Sequence, residues 1–441
     1  MEIRDLIITP VIILLVYLIT YLIRPFLTDE ITRRYYFPAL SLKIFGALAI
    51  GFIYQFYYMG GDTYNYHTFG SRIIWEAFIQ NPSDGFELFF NSQDVNLYNY
   101  TSRILFYRDP SSFFVVKFAA LLDILTFSSY SATAVLFALI SFIGMWFFFL
   151  TFYQLFPQVH FRIAIAAFFI PSVFFWGSGL LKDTIVMTCL GISTFLIKKL
   201  FIDKKVSLFA VIILIVNLII MFSVKKYVLI CFLPAALFWI YAGNLSMIRS
   251  IMLRILLMPF IILIAVFSGF YLIQKIGEND SKYALDKIAI TAQITAYDIG
   301  FYTGKDAGSG YTLGELDGSF TSMLRLAPQA INVSLFRPYL WEVKNPLMLL
   351  SAVESLALLA FTLYLLFRSP GSFFRAFRDP NVLFCILFSI TFAFGVGVST
   401  YNFGTLSRYK IPLLPFYFLA LVLIWHQENK ERKFSELEST E

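Results

Sequence analysis

Charge is what this chain has least of. Asp, Glu, Lys and Arg make up only 14% of its residues, against about a quarter in a soluble domain. That deficit excludes an ordinary solvated surface. Histidine and cysteine are scarcer still, with three of each in 441 residues. Cys189, Cys231 and Cys385 stand singly inside apolar runs without metal-ligand spacing, and read as small packing residues. No Walker loop, GxGxxG, HExxH or GxSxG pattern occurs, which leaves soluble nucleotide chemistry without support. Internal repeats, low-complexity linkers and a separate soluble domain are missing too, as is the twofold pattern of inverted-repeat transporters.

Apolar sequence fills the space. Hydrophobic residues reach 59% and aromatics 19%, and mean hydropathy is +0.74. Runs long enough to cross a bilayer, about 20 residues each, recur along the chain. The first, "LIITPVIILLVYLITYLI", follows "MEIRD", which lacks a basic n-region and leads to no small-residue cleavage site. It is expected to be a retained span. The fold class expected is all-α, a polytopic integral membrane protein in which 1–441 form a single membrane domain. About eleven spans are read, at 6–24, 38–58, 130–154, 163–180, 184–200, 206–223, 227–243, 254–276, 346–367, 381–398 and 412–425.

The positive-inside rule orients them. Arg24, Arg33 and Arg34 fall on one side with Lys198, Lys199, Lys204, Lys205, Arg249 and Arg254. Arg368, Arg375, Arg378, Lys430, Arg432 and Lys433 join them, provided that 112–127, with Lys117 and Asp123, lies in the interface. The amino terminus is then outside, and the short tail 426–441 is cytoplasmic. A bacterial inner membrane is the expected location. The net charge of +6 reflects this asymmetry and implies no nucleic-acid partner. Two outer segments remain, 59–129 and 277–345. Both carry amphipathic pieces such as "SRIIWEAFI" and "MLRLAPQAINVSLF", expected as short helices on the membrane surface.

Several cations break the rule by falling in short outer loops: Lys182 in "WGSGLLKDT", Lys225 and Lys226 in "SVKKY", Arg408 and Lys410 in "LSRYKIPLLP". Held at the outer rim, they would suit a phosphate or diphosphate; lipid anchoring is the plainer use. In "PSVFFWGSGLLKD", Pro171 can kink its span and Gly177 and Gly179 permit close approach. Lys182 and Asp183 then form either a self-neutralising pair or a phosphate ligand on a rigid turn.

Asp62, in "GGDTYNYHTFG", could be a general base or a divalent-cation ligand, or a plain helix N-cap. Tyr64 and Tyr66 could stack on sugar faces. His67 could assist Asp62 or be a satisfied polar residue. "GKDAGSGYTLGELDGS", with Asp306, Glu315 and Asp317, reads as a lid or an ordinary surface loop. It lacks EF-hand spacing. Arg337 and Glu342 read as a structural pair or a ligand site, and Glu354 as facing the bundle interior. The sequence names no metal site, and leaves the cofactor open, with a divalent cation at Asp62 as the one candidate.

A first outer loop opening with an Asp, an interfacial helix closing it, and the late "LSRYKIPLLPF" resemble the GT-C-type integral membrane glycosyltransferases over roughly the whole chain. The loop also resembles bacterial O-antigen-type polysaccharide polymerases. The resemblance implies a polyprenyl-linked sugar donor and a glycan, lipid or protein acceptor, met at the outer face. It implies Asp62 as catalytic carboxylate and Arg408, Lys182, Lys225 and Lys226 as lipid-phosphate ligands. Asp62 is followed by Thr63, where many members have a second carboxylate. A lipid-linked sugar flippase is the contrasting expectation. It would line a path with cations, whereas here they gather at one rim.

Overall fold

The structure is a computed structural model that describes residues 2–90, 95–245, 288–299, 309–314 and 317–438. Among the described residues it is all-helical, with no strand and one isolated bridge, Gly310 to Asn402. Seven described helices are long and apolar enough to cross a membrane. They are α1 (Ile3–Leu27), α2 (Arg33–Phe56), α3 (Tyr130–Leu155), α4 (Lys182–Ile202, its last turn widened to π geometry), α5 (Lys226–Asn244), α6 (Pro346–Arg368) and α7 (Pro380–Thr400). An eighth candidate is a pair, Phe403–Tyr409 and Leu413–Arg432, bent by 67°. At about 1.5 Å per residue, 20 residues match the hydrocarbon thickness. The chain is a polytopic membrane protein.

The other expected spans differ for local reasons. Leu208–Val224 is helical and apolar but only 17 residues long. The span 163–180 is broken. His160–Ala164 passes into a π turn at Ile165–Phe169, and the chain is extended at Ile170 before a new short helix, Pro171–Trp176. Pro171 has no amide hydrogen and disfavours the helical conformation at the residue before it, and the break falls there. The expected span 254–276 lies outside the described residues, as do Arg249, Arg254, Asp306 and Glu315.

Contacts divide the chain into two compact units. The first comprises Met1–Phe148, Val173–Ser193 and Ile215–Lys225. Its core is aromatic: Tyr36 sets its ring edge against Phe142 and Trp146 at 5.0 and 4.9 Å. Helices α3 and α4 cross with their backbones touching. A Cβ at Gly191 would sit 2.0 Å from the Gly144 carbonyl oxygen, and one at Gly144 would sit 2.4 Å from Thr188 Cα. Only glycine allows that approach. The segment 112–127 forms a 17-residue helix, Pro110–Thr126, whose Val115, Val116, Ala119 and Ala120 are buried in this unit.

Lys43, on α2, is the cation that holds the broken span. Its ammonium is buried and donates to the carbonyls of Val173 (3.2 Å) and Gly177 (3.0 Å). Val173 O also takes the Gly177 amide at 3.2 Å, and Gly177 lies just past the end of the helix Pro171–Trp176, where carbonyls lack amide partners and in a membrane must be met by protein groups. Ser141 Oγ, donating to Gly177 O at 2.5 Å, does the same.

The second unit comprises Phe149–Ser172, Thr194–Leu214 and Lys226–Glu441. Here "PQAINVSLF" forms a helix, Ala327–Phe336, but it packs on α7 with Ala330, Val333 and Leu335 buried. A Cβ at Gly397 would sit 2.2 Å from Ala330 O, and Ser334 Oγ donates to Ala393 O at 2.8 Å. This amphipathic piece, expected on the membrane surface, is part of the core of its unit.

Candidate functional site

Asp62 is presented by an unusual turn. Met59, Gly60 and Gly61 all have positive φ, at 56°, 136° and 123°, which is why two glycines stand there. Gly61 also passes the Tyr54 ring so closely that a Cβ would lie 2.8 Å from it. Gly61 is the N-cap of the short helix Asp62–Tyr66, and Asp62 is its first residue. The N-cap alternative for Asp62 therefore falls, because the glycine occupies that position.

The residues around Asp62 point inward. Thr63 Oγ1 bonds the Tyr130 hydroxyl at 2.8 Å. Tyr64 stacks on Tyr130 with centroids 4.3 Å apart and donates to Gln55 Oε1 at 3.1 Å. Tyr66 is buried against Phe106 at 4.9 Å. His67 is wholly buried, its ring edge-on to Tyr130 and its Nε2 3.4 Å from Asp123 Oδ1. Asp123 accepts from Thr133 at 2.6 Å. His67 thus faces a buried carboxylate, and the Tyr66 ring is engaged in packing.

The cation of this cluster is Lys182, on whose ammonium burial and Asp109 act most, with Lys225 and Asp62 after them. Lys182 Nζ donates to Ser111 Oγ at 2.6 Å and pairs with Asp109 Oδ2 at 3.2 Å. Asp109 caps the helix Pro110–Thr126 by accepting from Ser111 N at 3.2 Å, and Ser112 Oγ donates to it at 2.5 Å. Partial burial pushes the Asp109 carboxyl upward. The Ser112 bond and the Lys182 charge outweigh this and hold it down at about 2. Asp109 is therefore an anchor and a weak base.

Lys182 and Asp183 do not neutralise each other. Asp183, fully buried, pairs with Lys225, itself only 7% exposed. The first unit thus gathers Asp62, Asp109 and Asp183 around Lys182 and Lys225. Asp109 was missed in the sequence, although "RDPSS" carries a signal for it, an Asp ahead of Pro and two serines at a helix start.

The remaining candidates belong to the second unit. Lys226 opens α5. Arg337 forms a two-toothed pair with Glu342, with Nε 3.2 and 3.1 Å from the two carboxylate oxygens. Its guanidinium lies over the rings of Phe403, Tyr311 and Tyr339 at 5.3, 5.6 and 5.8 Å. Arg408 is nearly buried over Tyr409 at 6.0 Å. Lys410 is not at a rim. Fully buried, it donates to Ser355 Oγ at 2.9 Å and to the Arg337 carbonyl at 3.2 Å, which gives it a structural use. Glu354 is buried as expected, and accepts from the Ser172 amide at 2.8 Å. Among the described residues, no three His, Cys, Asp or Glu side chains converge as a metal site. Compared with protein-family models, curated proteins and solved structures, the chain finds no match.

Proposed function

We propose that this chain is a membrane glycosyltransferase that moves a sugar from a polyprenyl-phosphate or diphosphate donor to an acceptor at the outer face of the membrane, in cell-surface glycan assembly. The reading includes eleven spans, an outside amino terminus, a cytoplasmic carboxyl terminus and a bacterial inner membrane. The observation that carries it is Asp62, half-buried at the start of its helix behind the Met59–Gly61 bend, in the same unit as a Lys182 anchored by Asp109 and Ser111. In this reading Asp62 takes the proton of the acceptor hydroxyl as that oxygen bonds the anomeric carbon. The bond from carbon to donor phosphate breaks, and the phosphate leaves with its electron pair. Lys182 stabilises the negative charge that develops on it.

An O-antigen-type polymerase uses the same kind of lipid-linked donor with an arginine at the phosphate. Arg337, held by Glu342 among Tyr311, Tyr339 and Phe403, is the observation that favours that second reading.

The test is complementation in the source cell with Asp62→Asn, Lys182→Met and Arg337→Lys at matched membrane levels, reading glycans by mass spectrometry. Loss of one glycan with accumulation of its lipid-linked precursor in the first two variants supports the transferase. The same loss confined to Arg337→Lys favours the polymerase. Wild-type glycans in all three variants exclude both.

A further inference from the structure

Helix α2 carries two aromatic stripes of different kind. Phe45, Phe52 and Phe56 are exposed and share one face, as the lipid-facing side of a span should. The buried stripe, Tyr36, Leu40, Lys43, Ala47, Ile50 and Tyr54, recurs every three or four residues on another side. Tyr58 continues that stripe, four residues after Tyr54 and about 120–160° round the axis from the phenylalanines. Its ring lies against Tyr54 at 5.3 Å, which confirms the face. Tyr58 is nevertheless 47% exposed. It stands on the inner side of α2, beyond the last helical residue, Phe56.

The rings form a short ridge. Tyr57, also exposed, stands edge-on to Tyr58 at 5.0 Å, and the buried Trp176 stands edge-on to Tyr54 at 6.4 Å. The Met59–Gly61 bend ties this ridge to Asp62. Gly60 N donates to Tyr54 O at 2.8 Å, which folds the chain back on the last turn of α2. Gly61 then passes the Tyr54 ring with no room for a Cβ, and Asp62 is the next residue. Trp176 in turn leads through Gly177 and Gly179 to Lys182. Both charged candidates thus follow segments that carry a ring of the ridge.

The geometry points to a saccharide acceptor whose ring lies on Tyr58 and Tyr57. This rests on the transferase reading for the role of Asp62, and narrows the acceptor from any hydroxyl compound to a sugar. A sugar ring presents C–H groups on its faces and hydroxyls at its rim. An exposed tyrosine matches both, with a π face for the C–H groups and a phenol that gives and takes hydrogen bonds. An acyl chain has no use for a phenol, and the outward stripe of the same helix is phenylalanine. Tyr64 and Tyr66, the tyrosines after Asp62, are engaged by Tyr130 and Phe106. The two tyrosines before it are the exposed ones, and a sugar set on them brings a hydroxyl toward Asp62.

The test uses the full-length chain in phosphatidylcholine nanodiscs, with binding followed by saturation-transfer difference NMR. The probes are the methyl glycosides of glucose, galactose, mannose, rhamnose and N-acetylglucosamine, with glycerol as a polyol that has no ring. Expected is a signal from at least one glycoside and none from glycerol. That signal should fall about fivefold in Tyr58→Leu and stay near wild type in Tyr58→Phe, which keeps the ring on Tyr54. A nitroxide on Tyr58→Cys, read against labelled wild type, needs no ligand. It should be relaxed more by a water-soluble nickel chelate than by oxygen. The inference is overturned if no glycoside gives a signal, or if Tyr58→Leu keeps the signal in full. It is equally overturned if oxygen dominates, which would make Tyr58 a lipid contact. None of these readouts uses transfer. Glycoside binding together with wild-type glycans in Asp62→Asn would remove the base and keep the saccharide site. Glycan loss in Asp62→Asn without glycoside binding would do the reverse.

Discussion

Lys182 and Asp183 are adjacent in sequence yet send their charges into different ion pairs, Lys182 to Asp109 and Asp183 to Lys225. The second pair is the buried one. Lys225→Met would take its countercharge from the buried Asp183 carboxylate and should destabilise the protein by about 3–5 kcal/mol. Asp183→Leu/Lys225→Met, which removes both charges, should recover most of that loss. Thermal unfolding in detergent measures both. A double variant as damaged as the single one would mean that the uncompensated charge is not the cause.

The glycine contact between α3 and α4 gives predictions of opposite sign. Gly191→Ala places a methyl group against the Gly144 carbonyl and should cost about 1–3 kcal/mol. Gly395→Ala, also on a helix, meets nothing within 4 Å and should be neutral or stabilising by up to about 1 kcal/mol. Unfolding midpoints that move the same way in both variants would refute the close crossing.

Asp109 makes a pH-dependent contribution whose sign is fixed. Its carboxyl titrates at about 2 in the folded chain, against ~3.9 unfolded. The stabilisation is therefore complete above about pH 4 and disappears as pH falls through 2. With the Asp109 side chain 49% exposed, solvent screening limits it to about 1 kcal/mol or less. The gap in unfolding midpoint between wild type and Asp109→Asn should be flat from pH 6 to 4 and close below that, in roughly the window set by the two values. A gap that widens on acidification would contradict the assignment.

For activity, Asp62→Asn should lower glycan transfer by roughly 10²–10⁴-fold if the carboxylate is the base. Tyr66→Phe keeps the ring that packs on Phe106 and should stay within about twofold. Transfer assayed in membrane preparations with lipid-linked donor separates the two. Comparable losses would point to a structural role for the whole turn.

Hydropathy is a property of one segment at a time, so α1, α2, α3 and α4 were legible within a few residues of their ends. Pro171 announced a kink in the same local way. Which charges meet is a property of several segments at once. "KD" at Lys182–Asp183 suggested a pair between neighbours, and nothing near it in sequence named Asp109 or Lys225. Lys410 sat in a stretch read as a rim loop, because its acceptor on Arg337 lies 73 residues away. For Asp62 the position opening a helix was visible, while the plainer alternative of a capping residue gave way to the glycine before it.

Lys43 bears on how the molecule is made. Its ammonium belongs to α2, while the carbonyls that receive it lie 130 and 134 residues later in the chain. A charged lysine in the middle of a span, with nothing to meet it, is a burden of about 2.5–3.5 kcal/mol on insertion scales. The carbonyls of Val173 and Gly177 can meet it only once they have been made. Biogenesis thus has an order built into it, with the early segment held in waiting until the later one docks.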